Sequence, residues 1–143
     1  GMERSLHILL YRTFHAQRNY LRPSLQELGL GTGQPKLLAY LSARGPCHQK
    51  QLADYFDVDP ANISRMVDSL ERGGFVARRT DGRRDLVEVT ARGRDASAVW
   101  QARCRQMEAV LLQGFTPEER ERFADYLVRA YQNIHGKQGE TMP

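Results

Sequence analysis

QLADYFDVDPANISRMVDSLERGG, residues 51–74, is the stretch that decides the fold. Its apolar residues recur at spacings of three and four on both sides of a short break, which predicts two helices joined by a tight turn. Asp59 is a favourable N-cap for the second helix, Pro60 suits the first helical position, and Gly73 and Gly74 end the helix. This pattern indicates a helix-turn-helix, whose second helix enters a DNA major groove with its N-terminal end. The alternative is an ordinary helical hairpin within a core.

The pattern changes its period after residue 74. Residues 75–79 and 85–89 are compatible with β-strands, and TDGRR at 80–84 contains an Asp-Gly pair that is typical of a hairpin turn. We therefore predict a two-stranded wing with arginines at its tip. Residues 75–94 hold six arginines against three acidic residues, which is most of the net charge of +4. Charged hairpin tips are often only solvated, but a position directly after a helix-turn-helix favours contact with nucleic acid.

Amphipathic helices are predicted on both sides of this segment, at 3–28, 34–42, 91–113 and 117–135. Pro23 should kink or split the first of them. The first helix and the last two carry apolar stripes larger than a winged helix-turn-helix can cover, so we expect two chains to pair through them. The fold class is mainly α with a small β-wing (α+β). Its predicted parts are a winged helix-turn-helix at 34–90, dimerisation helices at 3–28 and 91–135, and a disordered tail at 136–143.

The composition excludes several classes of protein. A chain of 143 residues with 41% hydrophobic and 27% charged residues fits a single domain, 1–143, with a real core. No apolar run approaches the ~20 residues of a membrane span, so we expect a cytoplasmic protein with no membrane partner. The sequence contains no P-loop, GxGxxG, GxSxG or HExxH motif, which predicts no enzymatic activity and no cofactor.

The cysteines and histidines do not form a recognisable site. Cys47 and Cys104 stand far apart in the chain and make no CxxC pair. We expect two reduced thiols, and the alternative is a redox-sensing cysteine. The four histidines and two cysteines show no metal-type spacing, so we predict no metal site.

The order of these elements, together with QKQLADYFDVDPANISRMVDSLERGGFVAR at 49–78 and DGRRDLVEVTARG at 81–93, resembles the MarR family of bacterial winged-helix regulators over nearly the whole chain. Asp81 and Arg83 match the family's Asp-x-Arg wing signature. The chain departs from the family pattern in its short wing and in Cys47-His48, which replaces an apolar residue and Ser/Thr. The resemblance implies a homodimeric, sequence-specific regulator of transcription that binds palindromic double-stranded DNA. Such proteins are usually repressors, often released by a small aromatic or phenolic effector.

The resemblance also assigns residues to DNA. Asn62 can pair with adenine, and Arg65 can pair with guanine or a phosphate. Arg83 is the candidate for the minor groove, and Asp81 would orient it. The groove-reading face comprises Pro60, Ala61, Asn62, Ser64 and Arg65. The phosphate candidates are Gln49, Lys50, Arg78 and Arg84.

Regulators of this type hold their ligand between the winged domain and the dimerisation helices. His15 and Arg18 lie one helical turn apart and could receive a carboxylate, although aromatic residues at such depth are often core residues. The ligand candidates are Tyr11, His15, Arg18, Tyr40, Trp100 and Cys104. The alternative function is a winged-helix module that binds proteins without DNA, and the arginine-rich wing and polar recognition face argue against it.

Overall fold

The computed structural model describes residues 4–82 and 84–136, and within them six helices and a three-stranded antiparallel sheet confirm the predicted fold class. The helices and strands follow one another as α1 (Leu6–Leu28), α2 (Gln34–Arg44), β1 (Cys47–His48), α3 (Gln49–Phe56), α4 (Pro60–Arg72), β2 (Val76–Asp81), β3 (Arg84–Val89), α5 (Ala91–Leu111) and α6 (Pro117–His135).

The main core lies among α2, α3, α4 and the sheet. Each of these helices directs an apolar stripe inward, as its period requires, and the sheet adds Cys47, Val76, Val87 and Val89. The central strand β3 pairs with β1 on one side and β2 on the other. The most deeply buried side chains are Leu37, Leu38, Leu41, Leu52, Ile63, Val67, Leu70 and Val87. This core fixes α4 with its remaining face toward solvent.

The chain forms two compact units, Gly1–Met107 and Glu108–Pro143. In the first unit, the Thr90 hydroxyl donates to the Gly74 carbonyl at 2.6 Å, while the Thr90 amide donates to the Phe75 carbonyl at 3.0 Å. A Cβ on Gly93 would stand 2.1 Å from that Phe75 carbonyl oxygen, so only glycine permits this approach of α5 to the base of the wing.

The second unit contains α6, which begins with the predicted capping box. The Thr116 hydroxyl accepts from the Glu119 amide at 3.1 Å, and the Glu119 carboxylate accepts from the Thr116 amide at 2.8 Å. None of the 19 residues of α6 is buried. Its apolar residues Tyr126, Leu127, Tyr131 and Ile134 are exposed, whereas Phe123 is half-buried and stacks on Phe115.

The structure adds to or differs from the sequence-based expectations in several local features. Helix α1 runs through Pro23 without being split. The sheet has a third strand, in which Cys47 pairs with Val87 and His48 with Leu86. The strands of the hairpin extend to Asp81 and Arg84, which pair with each other, beyond the predicted ends at 79 and 85. The tail at 137–143 lies outside the described residues.

Candidate nucleic-acid interface

Helix α4 presents a polar face at its N-terminal end. The Asp59 carboxylate caps the helix by accepting from the Ala61 amide at 2.8 Å, and Pro60 occupies the first turn, where its missing N–H costs nothing. The buried side consists of Ile63, Val67 and Leu70. The residues predicted to read the groove lie on the other side: Pro60, Ala61, Asn62 and Arg65 are exposed, and Ser64 is half-buried. The structure therefore brings the predicted face together.

Two of these residues are bonded to each other. The Arg65 guanidinium donates from Nη2 to the Asn62 side-chain oxygen Oδ1 at 2.9 Å. They are three positions apart, which places them next to each other on one helix face. The exposed polar groups of α4 therefore form a joined pair rather than two independent side chains.

Arg78 of β2 joins three elements. Its Nε and Nη2 donate to the Gln49 side-chain oxygen at 3.1 and 2.7 Å, which links the wing to the start of α3. Its Nη2 also donates to Asp68 at 2.7 Å and its Nη1 to Glu71 at 2.9 Å, which links the wing to α4. The Arg78 amide donates to Glu71 as well, at 3.3 Å. These bonds engage most of the five N–H donors of the guanidinium.

Strand alternation explains why Arg78 is placed there. Val76 is buried, and Arg78, two residues later, lies on the same face of β2 and is only 19% exposed. The next residue, Arg79, lies on the opposite face, is 57% exposed and pairs with Glu88 at 3.6 Å. Asp68 and Glu71 were not among the predicted site residues. Their spacing of three places them next to each other on one helix face, which indicates a site where two carboxylates can bind one cationic side chain.

The remaining predicted DNA contacts lie on or beside these elements. Lys50 is exposed in the first turn of α3. The Gln51 side chain caps that helix by accepting from the His48 amide at 2.7 Å, so α3 begins more securely than His48 alone suggested. Arg83 lies outside the described residues, as do the side chains of Asp81 and Arg84.

A cavity of about 390 Å³ lies beside α1 and the start of α2. Arg18 and Trp100 line it, as the sequence analysis expected of a ligand site. Arg22 and Lys36 also line it and were missed, although Arg22 follows Arg18 by one helical turn. The cavity therefore combines cationic side chains with aromatic and aliphatic ones. Its other lining residues are Phe14, Gln17, Leu21, Leu25, Thr32, Gly33 and Pro35.

The other ligand candidates lie away from this cavity lining. Tyr11 is 63% exposed and stacks on His15 with the ring centroids 5.7 Å apart. Tyr40 packs against Tyr55 with the ring centroids 4.5 Å apart, and the Arg44 guanidinium lies 5.0 Å from the Tyr40 ring. Cys104 is half-buried. These four residues do not join Arg18 and Trp100 around the cavity.

Three further features concern the reactivity of Cys47, the grouping of metal ligands and the apolar character of the helices. Burial raises the pKa of the Cys47 thiol, which disfavours the reactive thiolate. Within residues 4–82 and 84–136, no three His, Cys, Asp or Glu side chains are grouped so that they could hold a metal ion. Over the same residues, no helix has the length and apolar character needed to cross a membrane.

Proteins with similar sequences and structures are regulators of transcription. The MarR family model matches residues 32–83. The chain is 30% identical over 102 residues to the uncharacterized HTH-type transcriptional regulator YwoH of Bacillus subtilis (strain 168), a match that covers 70% of this chain and 74% of that protein. Its fold is similar to the crystal structure of MarR, with a TM-score of 0.84, 28% identity and coverage of 97% and 98% of the two chains. A MarR family transcriptional regulator from Silicibacter pomeroyi gives a TM-score of 0.77 with 30% identity, covering 94% of this chain and 92% of the other.

Proposed function

This chain belongs to the MarR family of DNA-binding transcriptional regulators, and we propose that it is a ligand-responsive repressor that binds palindromic operators as a homodimer. Membership in the family makes the chain a regulator rather than an enzyme. The observation that carries the proposal is the polar N-terminal face of α4, whose opposite side is anchored in the core. A helix placed in this way can enter a major groove without exposing the core.

The contacts with DNA divide into base reading and backbone positioning. Asn62 and Arg65 are proposed to face base edges in the major groove, with Pro60, Ala61 and Ser64 around them. Arg83, with Asp81 orienting it, is proposed for the minor groove. Lys50 and Arg84 are proposed to contact phosphates. The hydrogen bonds of Arg78 and Gln49 to each other support a different role for that pair, namely holding the wing against α3 and α4.

Pairing of two chains is proposed from the exposed apolar residues of the terminal helices. On α1, Leu6, Leu10 and Phe14 are 77%, 54% and 56% exposed. On α6, Tyr126 is 59% and Ile134 is 86% exposed. Apolar side chains that recur along a helix in this way are rarely left in water, and a second copy would cover them. Light scattering that found a monomer at micromolar concentration would contradict the dimer.

The effector is proposed to be a small aromatic acid that binds in the cavity. Arg18, Arg22 and Lys36 offer cations for a carboxylate, and Trp100 offers a ring face. Gly33 lines the cavity, and the methyl carbon Cε of Met66 lies 3.1 Å from the position a Cβ on Gly33 would take. Because Met66 belongs to α4, a movement of the cavity wall at Gly33 would displace Met66 and shift the helix that is proposed to face DNA.

The effector proposal predicts a difference between charged and neutral ligands. Benzoate should raise the melting temperature, whereas benzamide, which has the same ring without the charge, should raise it less. The Arg18→Gln variant should reduce that difference between the two compounds, because only Arg22 and Lys36 then remain to face the carboxylate. Equal shifts with both compounds in the parent protein, or none with either, would contradict a carboxylate site.

The DNA proposal is tested by the salt dependence of binding to labelled duplexes. A protein that neutralises phosphates shows a linear fall of log K with log salt, with a slope of about −0.9 per contact. Arg83→Ala should make this slope shallower by about 1.8 for the dimer if that residue contacts one phosphate in each of the two chains. A parent protein that binds no duplex at low salt would favour the protein-interaction module instead.

A further inference from the structure

We infer that Asn62 and Arg65 act as one guanine-selective pair, in which Asn62 positions the arginine instead of reading adenine. This inference rests on the proposed function and concerns the base that α4 selects. Both residues are exposed near the start of α4. Their shared hydrogen bond of 2.9 Å, from Arg65 Nη2 to Asn62 Oδ1, occupies one N–H group of the arginine and one lone pair of the asparagine oxygen.

The chemistry follows from the direction of that bond. An asparagine reads adenine by accepting from the N6 amino group through Oδ1 while its Nδ2 amino group donates to N7. Here one lone pair of Oδ1 already accepts from Arg65, so the adenine amino group would have to use the second lone pair, directly beside a cationic donor. The N6 amino group would then meet donors on both neighbouring side chains. Adenine is therefore disfavoured.

Guanine fits the same pair. Its major-groove edge presents two acceptors, O6 and N7. The Asn62 Nδ2 amino group and the remaining N–H groups of Arg65 are donors only. The other exposed residues of this face, Pro60 and Ala61, have apolar side chains and supply no acceptor. The outward groups of the pair and the guanine edge are thus complementary.

Selection of bound sequences from a pool of random duplexes tests the inference. We expect the parent protein to select guanine at one step of each half-site, by about 5- to 150-fold over adenine. Arg65→Ala frees Asn62 Oδ1, so adenine should replace guanine at that step or the adjacent one. Asn62→Ala should keep guanine while weakening binding, because the arginine loses its anchor.

A modified guanine that lacks one hydrogen-bond acceptor gives an independent test of guanine recognition. Replacing the selected guanine by 7-deazaguanine, which has no N7, should weaken binding by the parent protein and leave Arg65→Ala unaffected. Arg72→Ala is the matched control, because it removes the same charge from the last turn of α4 and should leave the base preference unchanged.

The outcomes separate this inference from the function on which it rests. A parent protein that binds no duplex would overturn the proposed function. A parent protein that binds DNA but selects adenine, or whose guanine preference survives in Arg65→Ala, would overturn the pairing. If Arg65→Ala binds too weakly for selection, Asn62→Ala decides: guanine retained with weakened binding supports the pair, whereas guanine retained at the affinity of the parent protein, or a switch to another base, refutes it.

Discussion

Replacing Arg78 by alanine removes the group that ties the wing to α3 and α4. We expect the free energy of unfolding to fall by about 2 kcal/mol. The two bonds to Gln49 contribute about 1 kcal/mol together. Asp68 and Glu71 are 48% and 43% exposed, so solvent screens these pairs and each contributes about 0.5 kcal/mol. Thermal unfolding followed by circular dichroism should show a melting temperature lower by about 6 °C.

Arg79→Ala provides the matched control for stability. It removes the same charge from the same strand, but from a residue that is 57% exposed and 3.6 Å from Glu88. Its effect should stay within about 0.5 kcal/mol. Equal melting temperatures for Arg78→Ala and the parent protein would refute the reasoning, because the bonds to Gln49, Asp68 and Glu71 would then contribute nothing to the folded state.

DNA binding distinguishes a structural role of Arg78 from a phosphate contact. A phosphate contact by Arg78 in each chain of the dimer predicts that Arg78→Ala makes the salt slope shallower by about 1.8. A residue that holds the wing in place predicts weaker binding at every salt concentration with a smaller change of slope. The double variant Asp68→Ala/Glu71→Ala keeps the arginine and removes both of its acceptors on α4. It should weaken binding if Arg78 positions the wing, and should strengthen binding if a freed Arg78 reaches DNA.

Three further changes test other parts of the fold. Gly93→Ala should destabilise the protein by about 3 kcal/mol in urea denaturation, because its Cβ would stand 2.1 Å from the Phe75 carbonyl oxygen; a cost below 1 kcal/mol would contradict that packing. Asp59→Ala should cost about 1 kcal/mol in the same assay, because α4 loses its N-cap, whereas Asp59→Asn should cost less. Ile134→Asp should convert the proposed dimer to a monomer in light scattering, because it places a charge on a side chain that is 86% exposed in the single chain; an unchanged mass would remove Ile134 from the interface.

Long patterns could be predicted from the sequence because many residues repeat the same signal. The helix-turn-helix combines a 3.6-residue period with Asp59, Pro60 and the closing glycines, and α4 begins where those signals place it. The wing combines β-compatible residues with a turn signal, and both of its strands are present. The polar face of α4 was predicted from the same period. When the apolar residues of a helix form one buried stripe, its polar residues lie on the opposite, exposed face.

Features set by a few residues or by tertiary contacts could not be predicted in this way. Strand β1 is two residues long, which is too short to show a period, and it exists because Cys47 and His48 pair with β3. Pro23 does not split α1, since the loss of one backbone hydrogen bond leaves the rest of the helix intact, and Leu21 beside it is buried. Arg78 was expected to contact phosphate because charge alone does not reveal acidic partners from another element.

The residues that line the cavity could likewise be predicted only in part from the sequence. Arg18 and Trp100 were expected at a ligand site, but Lys36 joins them only through the fold, because it comes from a different helix. Tyr40 was grouped with them by residue type, yet it packs against Tyr55. Residue type can suggest which side chains suit a ligand, whereas their convergence depends on how the fold places α1, α2 and α5.

Helix α6 has 19 residues, none of them buried, and its exposure makes the behaviour of the protein depend on its concentration. An isolated amphipathic helix gains little in water from its own backbone hydrogen bonds, so its order depends on what covers it. In the proposed dimer that cover is another copy of the chain, and the thermal stability then rises with protein concentration by mass action. The amount of protein in a cell would thus set the fraction of chains able to occupy an operator before any effector acts.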